Sequence, residues 1–169
     1  MISEKLFNKL NSQINFEYHS AHIYLAMAAY CDSEELKGMA NFFQVQVQEE
    51  TFHASRFYTY INDMQGRVLL TGMPEPKNDF GSVLEAFKAS LAHEKIVTSR
   101  IYELMDLATE EKEHATISFL KWFIDEQVEE ENTLNTIIKR LERIQNDVNA
   151  LYVLDAELAA RVFTPPVIA

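Results

Sequence analysis

Apolar residues recur along most of this chain at alternating spacings of three and four, the period of an amphipathic helix, and nowhere do they alternate with polar residues as strands require. The pattern predicts a first helix from about Ser3 to Cys31 and a second, opened by a capping box at Asp32 and Glu35, to about Asp63. A capping box at Ser82 and Glu85 opens a third helix to about Ala108, and a fourth runs from about Glu110 to Gln145. Asn146 or Asp147 caps a short fifth helix to about Val162, before Pro165 and Pro166 end helical continuation. Between the second and third lies MQGRVLLTGMPEPKNDFG, which holds most of the Gly and Pro and is long enough to carry the chain the full length of a bundle. The expected fold is all-α: a four-helix bundle of two hairpins joined by a long crossover between helices two and three, with a short fifth C-terminal helix. One domain covers 1–169, with the bundle over about 3–145 and the terminal helix over about 147–162.

Each long helix carries one mainly apolar stripe, interrupted near its middle by an acid. Helix one reads Leu10, Ile14, Glu17, Ala21, Tyr24; helix two Phe43, Gln46, Glu50, His53, Phe57; helix three Phe87, Ser90, Glu94, Val97, Ile101; helix four Phe123, Gln127, Glu130, Leu134, Ile137. Interior carboxylates left ionised and unpaired cost several kcal/mol apiece. Four together exceed the ~5 to 15 kcal/mol of net stability a domain normally has. A positive partner has to sit among them. Four glutamates, one neutral imidazole and one amide form an oxygen-rich set with a single nitrogen, which suits hard or borderline divalent ions, and two such ions can share a bridging carboxylate. Alone, Glu50-x-x-His53 is more often a solvated helix face than a ligand pair. The coincidence of four stripes at matching depth carries the metal reading.

Composition narrows the partners. A net charge of −11, a pI of about 4.9 and the absence of any Lys/Arg block argue against nucleic acid and anionic membrane surfaces, and favour cations. The single cysteine, Cys31, permits no internal disulfide and no paired C-x-x-C knuckle, and reads as a small buried residue at a helix end. No apolar run approaches the ~20 residues of a membrane span, and the charged, amphipathic start MISEKLFNKL does not resemble a signal peptide, so a reduced cytoplasm is the expected location.

The constellation Glu17, Glu50-x-x-His53, Glu94 and Gln127-x-x-Glu130, with the long central loop and short terminal helix, resembles a prokaryotic non-haem ferritin over essentially the whole chain. The resemblance implies a di-iron ferroxidase centre, with Glu17 and His53 on one iron, Glu50 bridging, and Glu94 and Glu130 on the other. Gln127 stands beside the second iron as a weak ligand or hydrogen-bond partner. A third iron position on the cavity side is implied by Glu49, Glu126 and Glu129, with Glu130 shared, although an ordinary charged face accounts for those three almost as well. Tyr24 corresponds to the family tyrosine beside the centre, placed to hydrogen-bond a ligand or supply an electron. The implied substrates are Fe(II) with O2 or H2O2, and the implied product is a hydrated ferric oxide core inside a homo-oligomeric shell of twenty-four subunits. Haem is disfavoured: Glu130 stands where bacterioferritin has His, and Thr51 follows Glu50 where that family has its haem-ligating Met. Rubrerythrin is similar too, but its iron–sulfur module needs cysteines this chain lacks.

Several residues read more plainly. His19 and His22 lie off the stripe and suit a surface or subunit contact; His93 and His114 read as exposed; Trp122 reads as packing. Leu151, Leu154 and Leu158 form a narrow stripe that a single bundle cannot bury fully, and the fifth helix of ferritins gathers such residues about a four-fold axis. Two other classes stay open: a di-iron enzyme that activates oxygen or scavenges peroxide without mineral storage, and a helical interaction module with no metal.

Overall fold

The computed structural model describes residues 2–166 as five helices: α1 (Glu4–Ser33), α2 (Lys37–Asp63), α3 (Val83–Glu110), α4 (His114–Ile144) and α5 (Val148–Leu158), with no strand among the described residues. The long helices pair as antiparallel hairpins, α1 with α2 and α3 with α4, and α3 also packs on α1. The crossover carries no regular secondary structure over 66–80. Asn11 and Asn15, one turn apart on α1, hold it by a ladder: the Leu69 amide donates to Asn11 Oδ1 (2.7 Å) and the Thr71 amide to Asn15 Oδ1 (2.8 Å), while their side-chain amides donate to the carbonyls of Arg67 (3.1 Å) and Leu69 (2.8 Å).

α2 ends at Asp63 as expected, whereas α5 stops at Leu158, short of Val162, and the joints around α1, α3 and α4 shift by a few residues; three long helices close on residues other than Gly in the left-handed region. Glu35, Gln65 and Lys112 have φ of 58°, 60° and 55°. The amide after each bonds five residues back, Leu36 to Cys31 (3.0 Å), Gly66 to Ile61 (2.8 Å) and Glu113 to Ala108 (2.9 Å), which closes the helix. Asp32 and Glu35 therefore form no capping box: Asp32 belongs to the last turn of α1, and Glu35 ends it. Lys112 likewise postpones α4 to His114. At Ser82 the cap is as expected, with the Glu85 amide donating to Ser82 Oγ (3.2 Å), but the Glu85 carboxylate accepts from the Gly81 amide (3.0 Å) instead of that of Ser82.

α5 folds back onto its own bundle. Leu154 is fully buried, and Leu151 and Leu158 are half-buried against the core, so the stripe expected to need neighbouring chains is largely covered within one. On α5 itself the large apolar residues left in the open are Val148, Tyr152 and Val153. α2 has no side-chain cap of its own; its Met39 amide donates instead to Asp155 of α5 (2.8 Å). Gly38 permits this approach, since a Cβ there would lie 1.6 Å from the Asp155 carbonyl oxygen.

The core is divided. One apolar cluster gathers around Tyr24, Phe43, Phe87 and Leu134, the other around Leu10, Phe57, Ile101 and Phe123. Between them lies a buried polar layer of Glu17, Gln46, Glu50, His53, Glu94, Gln127 and Glu130. No helix of the described residues is long and apolar enough to cross a membrane.

Candidate metal centre

Every long helix sends an acid into the polar layer, because a stripe at helical spacing keeps one side facing inward for the whole length of a rod. Glu17, Glu50, Glu94 and Glu130 are at most 6 % exposed. Their ligand atoms form two groups, each with all atoms within 4.8 Å of one another: Glu17 with Glu50 and His53, and Glu50 with Glu94 and Glu130. Glu50 belongs to both. A third group joins His53, Glu126 and Glu130.

Hydrogen bonds fix two of these carboxylates by one oxygen each. Glu17 Oε1 accepts from Gln13 Nε2 (2.8 Å), and Glu130 Oε2 accepts from Gln46 Nε2 (2.7 Å). Glu94 is held by both oxygens, one taking the Tyr24 hydroxyl and the other Gln127 Nε2 at 3.0 Å. Glu50 Oε2 lies 3.5 Å from His53 Nδ1. The other oxygen of Glu17, Oε2, together with Glu50 Oε2 and Glu130 Oε1, is buried without any hydrogen-bond partner. Three such atoms on three helices are costly unless a cation takes them.

Electrostatics agree. Burial, then the charge of Glu94, lifts the Glu50 and Glu130 carboxyls well above the ordinary range; Glu94 itself is raised by burial and the nearby Glu17. Burial pulls the His53 imidazole down, but the nearby Glu126, Glu50 and Glu17 carboxylates outweigh it, so the ring holds its proton well above the usual range. The Tyr24 phenol is pushed up by burial and by the charges of Glu94, Glu50 and Glu130. Each of these shifts favours the protonated form of its group, and divalent ions can replace those protons.

Glu49, Glu126, Glu129 and Glu130 line a pocket of about 20 Å³ with Gln46, Phe42 and Arg161, room for about one water molecule or ion. Its acids are not equally free. Glu126 Oε1 reaches to 3.9 Å from His53 Nε2, Glu129 is exposed and joins no three-ligand group, and Glu49 is paired with Arg161.

His93 corrects an expectation. It is buried, not exposed, with Nε2 2.7 Å from Ser20 Oγ and its ring stacked on Phe16. α3 packs against both α1 and α4, so its buried arc is wider than one stripe and takes in the residue before Glu94. His22 and His114 are exposed, and His19 is half-buried beside His93. Trp122 packs edge-on to His53 at 5.5 Å under the Arg56 guanidinium. Burial raises the Cys31 thiol to about 12, which leaves it inert.

Three supporting residues lay outside the sequence reading. Gln13, one turn before Glu17, had a signal in its spacing; Arg100, whose Nε donates to Gln13 Oε1 (2.9 Å), and Arg161 had none, since their partners are remote in sequence.

Residues 7–144 match the family of the ferritin-like domain. A bacterial non-heme ferritin of Staphylococcus epidermidis is 53 % identical over 163 residues, 96 % of this chain and 98 % of its own, and one of Staphylococcus aureus is 52 % identical over the same shares. Among solved structures, an open pore ferritin from the archaeon Archaeoglobus fulgidus superposes with a TM-score of 0.95 at 45 % identity, over 96 % of this chain and all of the other. A structure described as a humanized archaeal ferritin gives 0.97 at 45 % identity, over 98 % of this chain and all of the other.

Proposed function

The chain belongs to the ferritin-like family, and on that premise we propose that it is an iron-storage ferritin whose buried polar layer oxidises Fe(II). The observation that carries the reading is the trio of bare carboxylate oxygens on Glu17, Glu50 and Glu130, converging from three helices beside His53. Two Fe(II) are the substrates: one taken by Glu17, His53 and Glu50, the other by Glu50, Glu94 and Glu130. Each gives up one electron to a shared O2, which takes two protons and leaves as H2O2; with peroxide as oxidant the same two electrons yield water. Acid ligands favour the harder Fe(III), so the reaction runs downhill at this site.

The chain's own residues supply geometry. Gln13 and Gln46 each occupy one oxygen of Glu17 and Glu130 and turn the other inward. Tyr24 and Gln127 restrain Glu94, which binds through its remaining lone pairs. Glu126, Glu129 and Glu49, with Glu130, form a third cation position on the way out of the layer. The product is stored as a hydrated ferric oxide inside a closed homo-oligomeric shell in the cytoplasm, and no haem takes part. An oxygenase acting on an organic substrate is disfavoured, because the pocket beside the layer is acidic and holds about one water molecule.

Aerobic Fe(II) added to the purified protein should raise ferric absorbance faster than buffer does, with the protein eluting as a particle of several hundred kilodaltons. Glu50→Ala and His53→Ala should slow the first phase sharply, and Glu129→Ala should alter only later turnover. Oxidation no faster than in buffer would sink the proposal.

A further inference from the structure

A guanidinium already occupies the inner acidic pocket. Arg161, just past α5, donates from Nη2 to both oxygens of Glu49, at 3.0 and 2.9 Å, and its face lies 4.4 Å from the Phe42 ring. Its backbone is pinned as well: Asn41 on α2 donates its side-chain amide to the carbonyls of Leu158 (3.1 Å) and Arg161 (2.9 Å), and Phe163 packs against Phe52. The segment after α5 is thus a strap laid along α2, with one cation directed at Glu49. The pair is also weaker than it could be. A single nitrogen serves both bonds, whereas Nη1 is buried with no partner, so the two parallel bonds of a full Arg–carboxylate fork are not made.

We propose that Arg161 is a built-in counter-cation of the inner pocket, which holds Glu49 while that pocket is free of metal and yields it when a divalent cation enters. The inference rests on reading Glu49, Glu126, Glu129 and Glu130 as a third cation position. A pocket of about 20 Å³ cannot take an ion beside a guanidinium without strong like-charge repulsion, since few water molecules screen the two. Arg161 therefore lowers the affinity of this position most, because the ion there would sit beside the guanidinium itself. It makes no hydrogen bond to the deep ligands Glu17, Glu50 or Glu94, so the deep pair fills first and the inner position last.

The test is calorimetric titration of the assembled, metal-free protein with Zn(II), which binds without redox chemistry, alongside amide exchange of residues 159–163. The wild type should take two ions tightly and a third weakly, with exchange in the strap rising as the third binds. Arg161→Gln should tighten the third ion about tenfold and leave the first two unchanged, while Arg161→Lys, which keeps the charge, should restore weak binding. The proposal is overturned if Arg161→Gln leaves the third ion as weak as before or weaker, if the Lys variant tightens it as Gln does, or if the strap stays protected at saturation. A third ion absent from both wild type and Arg161→Gln would remove the pocket reading itself. A third ion that Glu129→Ala abolishes and Arg161→Gln does not tighten would leave the pocket standing and remove only the role of Arg161.

Discussion

Gln13 shows how a buried neutral side chain governs a charged one. Its amide nitrogen holds Glu17 Oε1, and its oxygen accepts from Arg100 Nε, so a relay runs from a half-buried cation through an amide to the acid. Arg100 is fixed in turn by Ser12 and by the face of Phe16. Gln13→Ala should free Glu17 to rotate, weakening Zn(II) binding at the Glu17 position by about ten- to a hundredfold and slowing early iron oxidation comparably. Arg100→Gln should do the same more weakly; unchanged binding in Gln13→Ala would show that Glu17 needs no support. The acids themselves were legible in the sequence, because helical spacing determines which residues share a face. Arg100 was not, since its partner lies 87 positions away and only the packing of α3 on α1 unites them.

At the scale of elements, the four rods, their order and some of their ends could be read directly, whereas the joint between α1 and α2 and that between α3 and α4 could not, for two physical reasons. The first is non-local capping. Asp155 satisfies the Met39 amide across Gly38, and no pattern near Leu36 foretells it. Gly38→Ala sets a helix-propensity gain of about 1 kcal/mol against an overlap with backbone that costs about 1 to 3 kcal/mol. The contact is with main chain at 1.6 Å, not a flexible side-chain tip, so the clash should win. Amide exchange across Val148–Leu158 should accelerate and the unfolding midpoint fall; a stabilised variant would refute the docking. The second reason is the left-handed residue at each joint. At Lys112, with φ of 55°, Gly removes a Cβ penalty of about 1 to 2 kcal/mol and returns about 0.4 to 1 kcal/mol through the freer unfolded chain. Lys112→Gly should therefore raise the denaturation midpoint slightly and leave iron oxidation unchanged.

Across the whole molecule, the polar layer splits the core and burdens the metal-free state, and this sets the dependence on pH. Glu50, Glu94 and Glu130 are raised by burial and by each other, so between the ordinary glutamate range, about 4.3, and their folded values the native chain holds protons that the unfolded chain has lost. Stability then falls as pH rises through that interval. His53, raised by Glu126 and Glu50 against its burial, acts in the same direction: its contribution is complete below about 6.5 and is lost as pH climbs through the folded value. The metal-free protein should thus melt at a lower temperature at pH 8 than at pH 5.5. Divalent ions replace those protons, so the rise in melting temperature that saturating Zn(II) produces should be larger at pH 8 than at pH 5.5; at a hundred times the dissociation constant it corresponds to about 2.7 kcal/mol per site. Glu50→Gln removes a buried acid that belongs to both groups of ligand atoms. It should stabilise the metal-free protein at pH 8 while shrinking the Zn(II) increment, two opposite shifts that a merely damaged fold would not show. A Zn(II) increment independent of pH, or a Gln variant less stable than wild type without metal at pH 8, would mean that protons are not standing in for cations in this layer.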